Sequence, residues 1–116
     1  MKEKIGQMKP SSAKQKGRKL QQYVRDRLIA HFKFHPEDVQ SRSMGAGGTD
    51  VYLAYAARQV LPVAIECKNT ERINIWEAYK QAEANADGDI PMVVFKKNHS
   101  RPLVAIDFED FLRLIK

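Results

Sequence analysis

Two stretches of the chain decide the fold and the chemistry that it predicts: Gly47-Gly48-Thr49-Asp50-Val51 and Ile65-Glu66-Cys67-Lys68. Side chains alternate between the two faces of a β-strand, so Glu66 and Lys68 should share one face and Cys67 should lie on the other. If Asp50 lies on the neighbouring strand and faces the same way, two carboxylates and an ammonium group meet. Such carboxylates suit a hard divalent cation, and a lysine beside them can position or activate a water molecule.

Helices and strands alternate along the rest of the chain. Apolar residues recur at every fourth position in the first helix and mark one side of it: Leu20, Val24, Leu28 and Phe32. The run Val60–Ile65 is almost wholly apolar, as in a strand that is covered on both faces. The predicted elements are a helix over Ser12–Phe34, strands over Val39–Ser43, Thr49–Ala56 and Val60–Lys68, a helix over Asn74–Asp87 closed by Gly88, strands over Pro91–Lys96 and Leu103–Ile106, and a helix over Phe108–Leu114 capped by Asp107. This order predicts an α/β fold with one mixed sheet.

The chain is basic and has the size of one domain. Its 116 residues include 20 Lys and Arg against 14 Asp and Glu, a formal net charge of +6. Such a surface favours a polyanion, and nucleic acid is the default partner, although solvated surface lysines would give the same composition. The single cysteine excludes an internal disulfide, and no apolar run reaches the ~20 residues that span a bilayer, so we expect a cytoplasmic protein. We divide the chain into a flexible basic arm, residues 1–15, and a single domain, residues 16–116.

Two local patterns have both a structural and a functional interpretation. The glycines of Gly45–Gly48 can serve a simple turn, or they can let the backbone approach a phosphate closely beside Asp50. His31 and His35 stand one helical turn apart, which is a metal-ligand spacing, but no third ligand is near and both fall at the helix end. We therefore expect these histidines to meet the last carbonyl groups of the helix.

The arrangement of Asp50 and Glu66-Cys67-Lys68 on successive strands resembles the PD-(D/E)XK nuclease superfamily. The resemblance extends to Gly17 and the helical residues after it, and to Arg42-Ser43 before the glycine turn, which are similar to archaeal-type Holliday-junction resolvases and related phage enzymes. It covers residues 16–106. It implies a restriction-endonuclease-like α-β-β-β-α-β core with a central mixed five-stranded sheet flanked by helices. Thr49 stands where the superfamily nominally has proline.

The resemblance also implies roles for individual residues. Asp50 and Glu66 would bind Mg²⁺, for which Mn²⁺ can substitute, together with the main-chain carbonyl of Cys67. Lys68 would orient or deprotonate the attacking water and stabilise the charged transition state. Ser43 would reach the DNA backbone. Gln21 stands where these resolvases usually carry a metal-binding glutamate, so a second metal position is left open.

Further contacts with DNA are expected along the basic side of the domain, from Lys16, Arg18, Arg42, Gly47, Gly48, Lys80 and Gln81. Lys80-Gln81 lies where several members of the superfamily place a polar residue that faces the active site, although a solvent-facing glutamine is an equal alternative. Trp76 is a candidate for a core or dimer-interface anchor. Cys67 itself is most simply a small buried residue without a redox role.

Three functions are consistent with these patterns. The first is a metal-dependent, structure-selective endonuclease that acts on branched DNA as a Holliday-junction resolvase, and a C2 homodimer would present its two active sites to the two strands. The second is another nuclease of the same fold, such as a nicking, repair or restriction-like enzyme. The third is a catalytically silent DNA-binding module. A plain alternative for the triplet itself is a buried salt bridge between Glu66 and Lys68, with Asp50 capping a turn.

Overall fold

A computed structural model describes residues 10–42 and 48–116. In these two segments the helices and strands follow one another as α1 (Pro10–Phe32), β1 (Val39–Ser41), β2 (Val51–Leu53), α2 (Tyr55–Val60), β3 (Val63–Asn69), α3 (Ile75–Ala84), β4 (Ile90–Lys96), β5 (Leu103–Ala105) and α4 (Phe108–Ile115), with one 3-10 turn at Pro36–Asp38 before β1. The protein is therefore an α/β protein, as the sequence predicted.

The five strands form one mixed sheet in the order β1-β2-β3-β4-β5. Neighbours are antiparallel except β3 and β4, which are parallel and are joined by the crossover helix α3. Parallel neighbours require such a crossover, whereas antiparallel strands can be joined by short turns. β3 lies at the centre of the sheet and its first five residues, Val63–Cys67, are buried. The predicted mixed five-stranded sheet flanked by helices is confirmed.

The main core fills the space between α1 and the sheet. Its buried residues are Leu20 and Val24 of α1 together with Val39, Val51, Leu53, Ala57, Val63, Ile65, Cys67 and Val94. Burying a side chain of this size stabilises a fold by about 1.5–3 kcal/mol. The apolar residues at every fourth position of α1 therefore pack in this core as predicted, except Phe32. Phe32 is exposed and its ring stacks on Phe34, with 5.2 Å between the ring centroids.

The second layer of the core lies between α3 and the opposite face of the sheet. Ala78 and Ala82 of α3 pack on Val93 of β4, and these three residues are the buried members of this cluster. The alanines are short, so the helix lies close to the strands. Asn74 caps the start of α3, because its side-chain oxygen accepts a hydrogen bond from the Glu77 N–H at 3.2 Å. The predicted Asp107 cap of α4 is confirmed in the same way, with the Asp110 N–H at 3.0 Å.

The segment between β2 and β3 was predicted wrongly. The sequence analysis extended β2 to Ala56, placed a turn at Arg58-Gln59 and began β3 at Val60, but the structure has the helix α2 over Tyr55–Val60. This helix buries Ala57 against the core, and Arg58 donates a hydrogen bond to the Leu53 carbonyl at 3.0 Å. Six residues are too few for helical periodicity to be read from the sequence, so tertiary contacts decide the outcome.

Several boundaries also differ from the prediction. α1 begins at Pro10, so residues 10–15, which were assigned to the flexible arm, are helical; residues 1–9 lie outside the described segments. α3 ends at Ala84 rather than Asp87, and Gly88, with a φ of 92°, belongs to the following turn. His35 does not meet the helix carbonyls, because its Nδ1 accepts a hydrogen bond from the Glu37 N–H at 3.2 Å.

Candidate active site

Asp50 lies at the start of β2 and is fixed to the strands on both of its sides. Its N–H donates to the Ile65 carbonyl at 3.0 Å, and its carbonyl accepts from the Arg42 N–H at 2.8 Å. Its carboxylate oxygen Oδ2 accepts a hydrogen bond from the main-chain N–H of Cys67 at 2.8 Å. The antiparallel register, in which Val51 pairs with Ile65, produces this arrangement. The carboxylate of Asp50 is therefore held at the edge of β3 beside Glu66.

Glu66 lies on the face of β3 that is turned towards α3. Glu66 is only 3% exposed. Its Oε2 accepts a hydrogen bond from Asn85 Nδ2 at 3.2 Å. Asn85 is the C-cap residue that directly follows α3. Cys67 is on the opposite face, within the core cluster packed against α1. The predicted alternation of these two residues along the strand is confirmed.

The carboxyl groups of Asp50 and Glu66, which we call the acid pair, interact directly. The pKa of Glu66 is raised to about 7, first by burial and then by the negative charge of Asp50 and a hydrogen bond between the two carboxyl groups, while the hydrogen bond from Asn85 and the positive charge of Lys68 oppose the shift. Two carboxylates that are close together cannot both ionise at low cost, so the pair holds a proton up to near neutral pH. A cation bound between them would remove the same repulsion.

The donor set fits a hard divalent cation. Both side chains offer carboxylate oxygens, which are the ligands that Mg²⁺ prefers, and Mg²⁺ usually takes one or two carboxylates and completes its shell with water and substrate phosphates. Within the described segments no group of three or more His, Cys, Asp or Glu residues is positioned for a metal ion. Asp50 and Glu66 are the carboxylates that the sequence analysis assigned to the cation, and their role as ligands stays a prediction, as does that of the Cys67 carbonyl.

Lys68 is half-buried and follows Glu66 on the same face of β3. Its charge lowers the pKa of Glu66, which places it within electrostatic range of the carboxyl pair. Nevertheless, none of the ion pairs between described residues joins Lys68 to Glu66. The plain alternative of a Glu66–Lys68 salt bridge is therefore not formed, and the ammonium group of Lys68 has no ion-pair partner within the segments 10–42 and 48–116.

The Cys67 thiol is buried in the main core. Burial raises its pKa well above the usual range, and the charges of Asp50 and Glu66 add to that shift. A thiol that stays protonated is a poor nucleophile and a poor metal ligand. Only the main chain of Cys67 takes part in the acid site, through its hydrogen bond to Asp50.

Gln21 is placed on the α1 side of the sheet. It is 1% exposed, and its Oε1 accepts a hydrogen bond from the Ser41 hydroxyl at 3.1 Å. Ser41 pairs with Val51, the residue that follows Asp50. Its role at a second metal position stays a prediction.

The predicted DNA-binding residues are spread over several surfaces. Lys16 forms an ion pair with Glu71 at 3.7 Å, and Arg18 is exposed on α1. The guanidinium of Arg42 lies over the Tyr52 ring, 4.4 Å from its centroid. Gly48 has a φ of 87° with open space where a side chain would be, which satisfies the glycine requirement of the turn. Ser43 and Gly47 lie outside the described residues.

The residue of this region that contacts Glu66 is Asn85, directly after α3, and the sequence analysis missed it. Lys80 and Gln81 are exposed, in line with the solvent-facing alternative for Gln81, and their contacts with DNA stay predictions. Gln81 precedes Asn85 by one helical turn, and the Gln81 carbonyl accepts the Asn85 N–H at 3.2 Å. Residues four apart share a side of a helix, so the spacing from Gln81 was the available signal.

No family model, curated protein or solved structure matches this chain. Among the described residues, no helix combines the length and the apolar character that crossing a membrane requires.

Proposed function

We propose that this protein is a Mg²⁺-dependent endonuclease that hydrolyses phosphodiester bonds in branched DNA, with a four-way junction as its substrate. One observation carries the proposal: the carboxyl groups of Asp50 and Glu66 lie together at the central strand β3, and Lys68 lies on the same face of that strand without an ion-pair partner among the described residues. Placing a buried acid beside a second acid costs stability. Such costly pairs with a raised pKa are concentrated at functional sites. The resemblance of the same residues to the PD-(D/E)XK nucleases supports this chemistry.

Each residue of the site would have a distinct task. Asp50 and Glu66 would hold the cation, which supplies charge neutralisation at the scissile phosphate and lowers the pKa of a water molecule. Asn85 fixes the Glu66 carboxylate through its hydrogen bond. Lys68 would orient the attacking water or take its proton, and would stabilise the extra negative charge in the transition state. The net charge of +6 would attract the DNA to this surface.

A homodimer would serve a junction, because two strands must be cut symmetrically. An apolar surface formed by α3, β5 and α4 supports this assembly. Trp76 is 82% exposed, no residue of α4 is buried, and β5 pairs only with β4 in the described part of the chain. Trp76, Val104 and Phe108 line one open cavity there, and Leu103, Phe111, Leu112 and Ile115 are further large exposed apolar residues of β5 and α4. Sedimentation at micromolar concentration should give the mass of two copies, and the mass of one copy would remove this part of the proposal.

The nuclease assay uses three labelled substrates of related sequence: a four-way junction, a flap and a linear duplex. Each is incubated with the protein in Mg²⁺ and, separately, in EDTA. We expect paired symmetric nicks in the junction, only with the metal. Cleavage of the duplex would instead support a restriction-like, repair or nicking nuclease of the same fold. Tight binding with no cleavage in Mg²⁺ or Mn²⁺ would support a catalytically silent DNA-binding module. With a single cysteine, which cannot form an internal disulfide, the protein would act in the reducing cytoplasm.

A further inference from the structure

A second candidate binding site lies on the other face of the sheet. A groove of about 470 Å³ runs between α1 and the carboxyl ends of β3 and β4, and its walls include Lys16, Lys19, Tyr23, Asn69, Lys96 and Asn98. This volume falls within the range of about 300–1,000 Å³ that is usual for small-ligand sites. We call it the α1 groove. None of the residues assigned to the acid pair lines it.

The α1 groove is positively charged. Three of its lining residues are lysines and none is acidic. Lys16 is partly neutralised by Glu71 at 3.7 Å, whereas no ion pair between described residues involves Lys19 or Lys96. Lys19 is exposed on α1 and Lys96 is half-buried at the end of β4. Two ammonium groups on opposite walls can therefore contact successive phosphates of a strand that lies between them.

An aromatic ring stands beside these lysines. Tyr23 is 51% exposed and lies one helical turn after Lys19, on the same side of α1. Tyr23 makes no ring–ring contact with another described residue. Its ring is therefore open to a ligand. A base in a duplex is already stacked on its neighbours, whereas an unpaired base can stack on an aromatic side chain.

Asn69 connects the groove with the acid site. It directly follows Lys68 in β3, so the two side chains point to opposite faces at the same end of the strand. Asn69 Nδ2 donates to the Lys16 carbonyl at 3.3 Å, but its Oδ1 is buried and has no hydrogen-bond partner among the described residues. Such an unsatisfied acceptor is uncommon in a folded protein.

We propose that the α1 groove binds an unpaired DNA strand, with Lys19 and Lys96 on its phosphates and Tyr23 stacked on a base. The inference extends the proposed function, since a strand that leaves the acid pair at the end of β3 would pass around that end into the groove. Branched DNA contains bases at its branch point that are less constrained by stacking than those of a continuous duplex. The groove would thus help the protein to select branched or opened DNA over linear duplex.

The test measures DNA binding without metal, so that it does not depend on cleavage. A fluorescein-labelled 12-nucleotide single strand and a duplex of the same sequence are titrated with the full chain in EDTA, and binding is followed by anisotropy. Tyr23→Leu should weaken binding of the single strand about fivefold or more, which is the usual effect of losing one stacked base. It should leave duplex binding nearly unchanged. Equal losses on both DNAs, or no loss on the single strand, would overturn the proposal.

The lysine contact is tested by its dependence on salt. Lys19→Gln should lower the slope of log affinity against log salt by about 0.7 for the single strand, as expected when one phosphate contact is removed. Lys33→Gln is the matched control, because Lys33 is exposed and lies 14 residues further along, just after the last residue of α1. The control should retain the wild-type slope. If both variants change the slope equally, the attraction is general and the groove is not a site.

A crosslinking experiment locates the contact directly. A single strand that contains 4-thiothymidine is irradiated with the wild-type protein, and the modified peptide is identified by mass spectrometry. We expect the adduct on Tyr23 or on the peptide that contains it, and adducts only elsewhere would contradict the assignment. If single-strand binding depends on Tyr23 but no nuclease activity is found, the groove assignment stands and the proposed function is rejected. If the junction is cleaved but single-strand binding does not depend on Tyr23, the proposed function stands and the groove assignment is rejected.

Discussion

The two faces of β3 differ completely in chemistry although they alternate residue by residue. Val63, Ile65 and Cys67 face α1 and belong to the main apolar core. Glu66 and Lys68 face the α3 side, where Glu66 meets Asn85 and the Asp50 carboxyl group. One strand thus supplies the stability of the fold with one set of side chains and the candidate chemistry with the other. The apolar face fixes the register, and the register positions the polar face.

Cys67 and Glu66 sharpen this contrast because they are adjacent and both are buried. Burial is the main cause of a raised pKa in each case. For the thiol, the result is an inert neutral group. For the carboxyl group, the result is a pKa of about 7, where small changes in charge or metal binding alter its ionisation. Burial alone therefore does not distinguish the two groups; what distinguishes Glu66 is a carboxyl group that shares a hydrogen bond with it and a lysine on its own face of the strand.

The largest expected effect is loss of cleavage when the polar face is changed. Glu66→Gln, Asp50→Asn and Lys68→Ala should each reduce the cleavage rate of a four-way junction about 10³-fold or more, because each removes a group that acts on the transition state. Junction binding, measured by gel shift in EDTA, should persist. Glu77→Gln, an exposed acid on α3, is the control. Full activity in any of the three variants would remove that residue from the site.

The apolar face should instead show its effect in stability. Ile65 is 1% exposed, and Ile65→Ala should lower the free energy of unfolding by about 2–5 kcal/mol, since it leaves a cavity in the main core. Lys68 lies three positions further along the same strand and on its other face. Lys68→Ala should change the free energy of unfolding by less than about 1 kcal/mol. Urea unfolding of both variants measures the difference. Similar losses would mean that the two faces are not divided as described.

Glu66 should cost stability in the metal-free protein at alkaline pH. A carboxyl group with a folded-state pKa of about 7, raised from 4.5, binds its proton more tightly in the folded chain. Its contribution is therefore full below about pH 4.5 and is lost as the pH rises through 7. Glu66→Gln cannot ionise, so in EDTA at pH 8 it should be more stable than the wild type by about 1–3 kcal/mol.

Two further measurements test this interpretation of the pH effect. The stability gain of Glu66→Gln should disappear at pH 4.5, and a gain of equal size at both pH values would show that ionisation is not its cause. Mg²⁺ should raise the unfolding temperature of the wild type at pH 8, because it binds the folded state only. It should have little effect on Glu66→Gln. An equal metal effect on the two proteins would place the cation elsewhere.

The smallest effect is expected from Asn85, which acts through Glu66. Asn85→Ala removes one hydrogen bond to the carboxyl group and should cost about 0.5–1.5 kcal/mol of stability. Because that hydrogen bond lowers the pKa of Glu66, its loss should shift the acidic limb of the kcat/KM profile to higher pH. Asn85→Asp is unsuitable as a conservative variant, but Asn85→Gln should restore part of the shift. An unchanged profile would limit Asn85 to capping α3.

Much of this site could be predicted because its rule is local. The two-residue period of a strand separates Glu66 from Cys67 whatever surrounds them. The apolar run before Glu66 marks a central strand, and the acidic residue at the start of β2 is its natural neighbour in an antiparallel pair. The helix α2 and the partner Asn85 could not be found in this way. A six-residue helix has no readable periodicity, and the end of α3 is positioned over β3 only by the crossover between β3 and β4.

The sequence by itself determined the α/β order of elements, the buried central strand and the face of β3 that carries Glu66 and Lys68, because these follow from hydrophobic pattern and strand geometry over a few residues. Only the tertiary structure decided that Asp50 Oδ2 accepts from the Cys67 N–H, that Asn85 reaches Glu66, and that Lys68 remains without an ion-pair partner in the described chain. Those contacts join residues on different elements. They depend on how the helices and strands pack, and so does the burial that raises the pKa of Glu66.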